Sequence, residues 1–461
     1  MSSNFSKVCT CLTASLLFLG ANRSLAQEQG VDAPQEQQPS VQRILYLESP
    51  VPIELGIDPQ LVPILEPTAE PVQEDDPEFV RRMNSIREYS ETVGFLEETG
   101  GAWESGLVEQ LASIAKLEQQ QGNHIGAIEA FDRALHINRI SSGLHTLAQI
   151  PLVEEMISSY LALGDWQQVD LMNNYLFFVQ HKAFGTNDPR IIPALERLAD
   201  WNMQAFNIGY GESLGVRLSS VQILLRAAVG MVGTHFGRGD ERFERYLRNL
   251  ALSGYQASRY PDYAVEVDNP QFRTKQELLR DQLNAGGSVF PQGFSIGVAA
   301  LLELVDYYEK SSSSVYSTAE VIAHLGDWHL IFDRRRSAEG HYRRAWDMLA
   351  AEENGEELIQ KLFGQVVPLP TFLHEPRNLE LKTGVSLSRE SLKYDYADIS
   401  LDVIETGSTR NVQLLTEGTE ENTEMLLRLR REVRASKFRP LIEEGGIVRS
   451  DGHKFRYRYW Y

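Results

Sequence analysis

The chain has 461 residues, a formal net charge of −20, 42% hydrophobic residues and two cysteines. Such acidity repels phosphate backbones and excludes nucleic acid as the main partner. The apolar share suffices for a large core, and two cysteines exclude a disulfide framework.

Residues 1–26 begin with one early cation, Lys7. An apolar run from Val8 to Ala21 follows, then Ser24-Leu25-Ala26 and the polar QEQG. This is the layout of a secretory signal peptide. Its apolar core is shorter than the roughly twenty residues that span a bilayer as a helix. Cleavage after Ala26 would remove both cysteines, Cys9 and Cys11, together with Lys7 and Arg23 and no acidic residue. The mature net charge would then be −22. No later stretch reads as membrane-spanning, so no stable membrane insertion is expected once the leader is gone.

Residues 27–85 are rich in Gln, Glu, Pro and Asp and read as a mostly disordered linker. Two short apolar patches, Ile44-Leu45-Tyr46 and Leu61 to Leu65, interrupt it. Residues 86–365 read as a helical repeat domain. Ala115, Gly122, Ala127, Phe131 and Ala134 form a first unit; Ile157, Tyr160, Gly164 and Trp166 a second; Ala199 opens a third. Gly122 to Gly164 is 42 residues, and Ala115, Ile157 and Ala199 keep the same interval. Gly326, Ala338, Tyr342 and Ala345 give a later unit, while 210–315 reads as degenerate helices with an insertion around 255–290. These spacings resemble the tetratricopeptide repeat (TPR), and KAFGTNDPRIIPALERLADW resembles the long variety found in kinesin light chains. Such hairpins bury their apolar faces only by stacking into a superhelix.

Residues 366–396 read as a second linker, because Pro368, Pro370 and Pro376 interrupt any periodicity. In 397–461, Ile399, Leu401 and Val403 alternate with polar residues, Thr406-Gly407 turns, and Val412 and Leu414 alternate on the return. An amphipathic helix with Met425, Leu426, Leu429 and Val433 on one side follows. Phe438-Arg439-Pro440 ends it, and KFRYRYWY closes as a strand. Alternation sends Phe455, Tyr457, Tyr459 and Tyr461 to one face and Arg456, Arg458 and Trp460 to the other. A single-strand-binding surface would expose aromatics beside cations on one face, and this strand does not. The strand–strand–helix–strand order resembles the C-terminal domain of the TonB family. The expected fold is thus mainly α: a TPR-like superhelix of helical hairpins followed by a small α+β, TonB-C-like domain.

No H-E-x-x-H, phosphate loop, EF-hand loop or dinucleotide fingerprint occurs. His124, His136 and His145 match no common ligand spacing. Gly293-Phe294-Ser295-Ile296-Gly297 satisfies G-x-S-x-G, yet Pro291-Gln292 makes a poor strand entry before it. The sequence therefore names no catalytic residue, no metal and no cofactor.

By the TPR resemblance, the first helix of each unit lines a concave binding surface. This implies Glu109, Ala112, Lys116 and Gln119; Glu154, Ser158 and Leu161; then Glu196, Asp200 and Met203. Their acidic bias favours a partner with basic segments. The TonB resemblance implies strand addition at the edge of 454–461, with Arg456, Arg458 and Trp460 facing a partner such as an outer-membrane receptor. The reading that results is a non-enzymatic scaffold in the periplasm of a Gram-negative cell, holding protein or peptide partners of the envelope. Two others are a TonB-type energy transducer, if the leader stays as an anchor, and an envelope serine hydrolase centred on Ser295.

Overall fold

The computed structural model describes residues 43–53, 76–286, 293–311, 313–382, 386–419 and 422–461. The leader, most of the 27–85 segment and the Leu61–Leu65 patch lie outside the described residues. Two short strands come first, β1 (Tyr46–Leu47) and β2 (Val51–Pro52), then helix α1 (Pro77–Gly100). Five helical hairpins follow. They pair α2 (Leu107–Gln120) with α3 (His124–Ser142), α4 (Ile150–Leu163) with α5 (Trp166–Phe184), and α6 (Ile192–Ile208) with α7 (Leu214–His235). The fourth hairpin joins α8 (Glu241–Arg259) to α11 (Gly293–Lys310). It is interrupted by α9 (Tyr263–Val267) and α10 (Pro270–Gln282), which pack on α7. The fifth is α12 (Val315–Ile331) with α13 (Arg335–Ala350), and α14 (Gly355–Phe363) packs after it.

The local chemistry explains the hairpins. Gly122 and Gly164 take positive φ of 78° and 69° between paired helices, where a side chain would be strained. Asn123 and Asp165 then cap α3 and α5 by accepting the Gly126 and Gln168 amides, each at 3.1 Å. Ala115, Ala127, Phe131 and Ala134 are fully buried where α2 meets α3. In the fifth hairpin a Cβ on Gly326 would lie 2.7 Å from the Tyr342 ring, so the small residue makes room for the aromatic. Helix α7 is long and apolar enough to cross a membrane, contrary to the sequence expectation that no later stretch is. Most of it is buried among its neighbours, as a core helix would be.

The last part of the chain forms β3 (Val367–Pro368), β4 (Arg377–Asn378), β5 (Tyr394–Val403), β6 (Thr409–Leu414), α15 (Thr423–Ala435) and β7 (Phe438–Arg439). A hairpin of β8 (Leu441–Glu443) and β9 (Gly446–Val448) precedes β10 (Ser450–Trp460). The main sheet has the order β4-β1-β10-β5-β6, with β2 also paired to β10. In its register Phe455 faces Ile399, Tyr457 faces Ala397 and Tyr46 faces Trp460. Phe455, Tyr457 and Tyr459 are buried in one cluster with Met425, Leu426, Leu429 and Val433 of α15. The alternation in KFRYRYWY therefore buries its aromatic face as expected.

Both segments read as linkers are corrected where they are described. Residues 44–53 bury Ile44, Tyr46 and Leu47 as strand neighbours of β10, and α1 begins at Pro77. Within 366–396, β3 pairs with β7 and β4 with β1. Proline ended the periodicity there without loosening the chain, because two-residue strands need no repeat pattern. The described residues all fall in a single compact unit.

Candidate functional site

Successive first helices are stitched together by ion pairs. Lys116 of α2 meets Glu155 of α4 at 3.4 Å, Glu154 of α4 meets Arg197 of α6, and Glu196 of α6 meets Arg245 of α8 at 2.5 Å. Gln119 donates to Ser159 Oγ and to the Glu155 carbonyl, both at 2.8 Å, and Tyr246 donates to Glu196 at 2.7 Å. Four of the residues assigned to partner contact thus hold neighbouring hairpins in register. Glu109 and Ser158 remain exposed, with Ala112 and Leu161 half-buried.

Asp200 differs from these. It makes no ion pair or hydrogen bond to another described residue, and it lines a cavity of about 420 Å³. Solvent reaches the residue, yet its carboxyl is pushed up to about 6. The surrounding protein is the first cause and the nearby Glu196 the second, with Arg245 opposing them. Met203, Gln204 and Asn207 of α6, Asn249 and Leu252 of α8, and Tyr46 share the cavity. Glu375, Pro376, Arg389 and Glu390 close it from the C-terminal side. Tyr46 donates to the carbonyls of Asn207, at 3.0 Å, and Leu387, at 2.7 Å, and Asn378 donates to the same Asn207 carbonyl at 2.7 Å. The sheet is therefore bound directly to the end of α6.

A second anchor lies at the far end of the array. Arg439 of β7 enters the helical core and makes two bonds to Asp327 of α12, at 2.8 and 2.5 Å, and a third to the Leu362 carbonyl at 3.1 Å. Tyr342 donates to Asp327 at 2.8 Å. Asp327 is 2% exposed and Arg439 3%. Burial alone would lower the guanidinium's pKa; the charge and hydrogen bonds of Asp327 outweigh it and hold Arg439 cationic above its ordinary value. Burial, then Asp327, pushes the Tyr342 phenol well up.

The final strand is not a free edge, which corrects the strand-addition expectation. Its outer side is already paired by β1 and β2. Leu45 donates to the Trp460 carbonyl at 2.8 Å, Glu48 to Arg458 at 3.0 Å, and Ile53 to Lys454 at 2.9 Å. The cations assigned to a partner are spoken for as well: Arg456 makes a bidentate pair with Asp398 at 2.8 Å, and Arg458 pairs with Glu48 at 2.5 and 2.9 Å. Trp460 is buried beside Tyr394, with the Arg458 guanidinium 4.9 Å from its ring centre.

Ser295 lies in the first turn of α11, exposed, and the glycines around it serve packing. A Cβ on Gly254 of α8 would meet the Gly293 carbonyl at 2.7 Å, and one on Gly297 would overlap the Trp328 ring. Trp328 donates to the Phe294 carbonyl at 3.0 Å. His329 and His341 stack on each other with centres 5.1 Å apart. Burial first, then His341, pushes His329 down to about 4. His324 is buried and accepts from Arg248 at 2.9 Å as a neutral imidazole. Among the described residues no group of three or more His, Cys, Asp or Glu is arranged to hold a metal ion.

The described chain is thus of the class of stacked helical-hairpin arrays, here clasped by a small α+β sheet. No protein-family model and no curated protein matches it. Among solved structures it is similar to BtubC (BKLC) from P. vanneervenii, at 12% identity over 60% of this chain and 92% of that one, with a TM-score of 0.34. It is also similar to a putative kinesin light chain from Podosopora anserina with nearly identical TPR-like repeats. That match has 13% identity, covers 54% of this chain and 99% of that one, and has a TM-score of 0.34.

Sequence reasoning missed Asp327, Arg439, Tyr46 and Glu48. One signal was present: Asp327 is the sole acidic residue between Glu320 and Asp333, in a largely apolar helical stretch. A carboxylate in such a place needs a buried cation. Nothing local pointed to Arg439 as that cation.

Proposed function

We propose that the protein is an exported, non-enzymatic scaffold of the periplasm that holds a protein or peptide partner on the first-helix face of its array. The observation that carries this reading is the unequal use of that face. The sheet covers the end of α6 and docks on α12, whereas α2 and α4 keep Glu109, Lys116 and Ser158 exposed to solvent. Stacked hairpins offer extended surfaces of this kind to partners. The signal-like layout of residues 1–26 supports export, and first-residue sequencing of the purified protein should give Gln27. A photo-crosslinking residue placed at Ser158 should trap a defined partner in envelope extract, while one at Leu171, exposed on the second helix α5, should not. Equal trapping at both positions, or none at Ser158, counts against the reading.

A further inference from the structure

We propose that the cleft between α6, α8 and residues 375–376 and 389–390 receives a lysine or arginine side chain of an extended peptide, with Asp200 as its counter-ion; this rests on the scaffold reading. Three carboxylates line the cleft, Asp200, Glu375 and Glu390. The single cation among its lining residues, Arg389, is shared between Glu375 and Glu390, each 3.5 Å away. Asp200 has no ion pair of its own, and Arg245, which acts on it through charge alone, is paired with Glu196, while Glu154 on the same face has Arg197. An uncompensated carboxylate in a concave site attracts a cation more strongly than it would on an open surface.

The rest of the lining fits the body of such a side chain. Met203, Ile208, Leu225 and Leu252 offer an apolar wall to an aliphatic stem. Gln204, Asn207 and Asn249 supply amide groups suited to a peptide backbone. The cleft continues into a neighbouring cavity of about 610 Å³ that shares Gln204 and Glu390 and is walled by Leu161, Leu163 and Trp166. A peptide a few residues long therefore has room to extend beyond its cation on that side. The site needs three distant parts of the chain, α6 with α8, Tyr46 of the N-terminal strap formed by residues 44–53, and residues 375–376 with 389–390, so a bare helical array would not form it.

The test uses the whole mature chain. Phage-displayed random nonapeptides are selected on it, and the enriched sequences are synthesised with a fluorescent label. Their affinities are measured by polarisation against the parent, Asp200→Asn, Asp200→Lys and Lys116→Glu. The expected result is enrichment of lysine or arginine, a tenfold or greater loss with Asp200→Asn, and a larger loss with Asp200→Lys. Binding should also weaken between pH 7.5 and pH 5, as Asp200 takes up a proton beside Glu196, Arg245, Glu375, Arg389 and Glu390. Peptides that bind, ignore both Asp200 variants and respond only to Lys116→Glu overturn the receptor and leave the scaffold reading standing. Failure to select any peptide counts against both.

Discussion

Glu154 and Glu196, in the first helices α4 and α6, face arginines of the next hairpin in half-exposed pairs. Asp327, in the first helix α12, faces Arg439 of a different module with both groups sealed from solvent. Exposed pairs are individually weak, because water screens them and long side chains lose freedom. A sealed pair contributes little over an apolar substitute, yet removing one partner strands a charge in the core. The open end of the array is therefore tuned by many small contacts, and the clasped end is locked by one that tolerates no half-measures.

The sharpest way to break this contrast is at the sealed pair. Arg439→Ala or Asp327→Ala should lower stability by about 3–5 kcal/mol in denaturant unfolding, since each strands a charge. Replacing both with Met and Leu should recover most of that loss, though Tyr342 would forfeit its acceptor. The strap comes next. Ile44→Ala, at a fully buried position beneath β10, should cost about 2–4 kcal/mol through the cavity it leaves. Gly297→Ala should cost about 1–3 kcal/mol by forcing Trp328 aside. At the open end, a double-mutant cycle on Glu154 and Arg197 should return only about 0.2–1 kcal/mol. The last effect, discounted because water reaches Asp200, is pH-dependent. The folded-state pKa of Asp200 lies above its ordinary 3.8, at about 6, so ionising it opposes folding. That penalty is absent below pH 3.8, grows as pH rises to about 6 and persists above. Asp200→Asn should accordingly stabilise the chain at pH 7.5 and change nothing at pH 3.5.

Much of the architecture was legible because it is local. The 42-residue intervals, Gly122, Gly164, the Gly326–Tyr342 fit and the alternation in KFRYRYWY each reflect contacts within a hairpin or along a strand. Most of the helices and three strands of the main sheet, β5, β6 and β10, could be read from them. The clasp could not, since it joins residues far apart in sequence. Glu48 meets Arg458 across 410 positions and Asp327 meets Arg439 across 112, and no periodicity encodes either. Proline-rich, acidic composition concealed the strap for a physical reason: two-residue strands are held by a neighbour's edge, and their own propensity contributes little. The candidate site was half legible. The first-helix positions were named from the repeat, but their charges suggested a free acidic surface where two of the four carboxylates, Glu154 and Glu196, already have partners, and only the three-dimensional cleft singles out Asp200.

Hydrogen exchange by mass spectrometry on the parent and on Arg439→Ala tests most directly whether the sheet and the array are one body. Amides of α12 and β10 should exchange at a common slow rate in the parent, and both should speed up together in the variant. Fast exchange of β10 in the parent, with α12 still protected and unmoved by the substitution, would contradict the clasp.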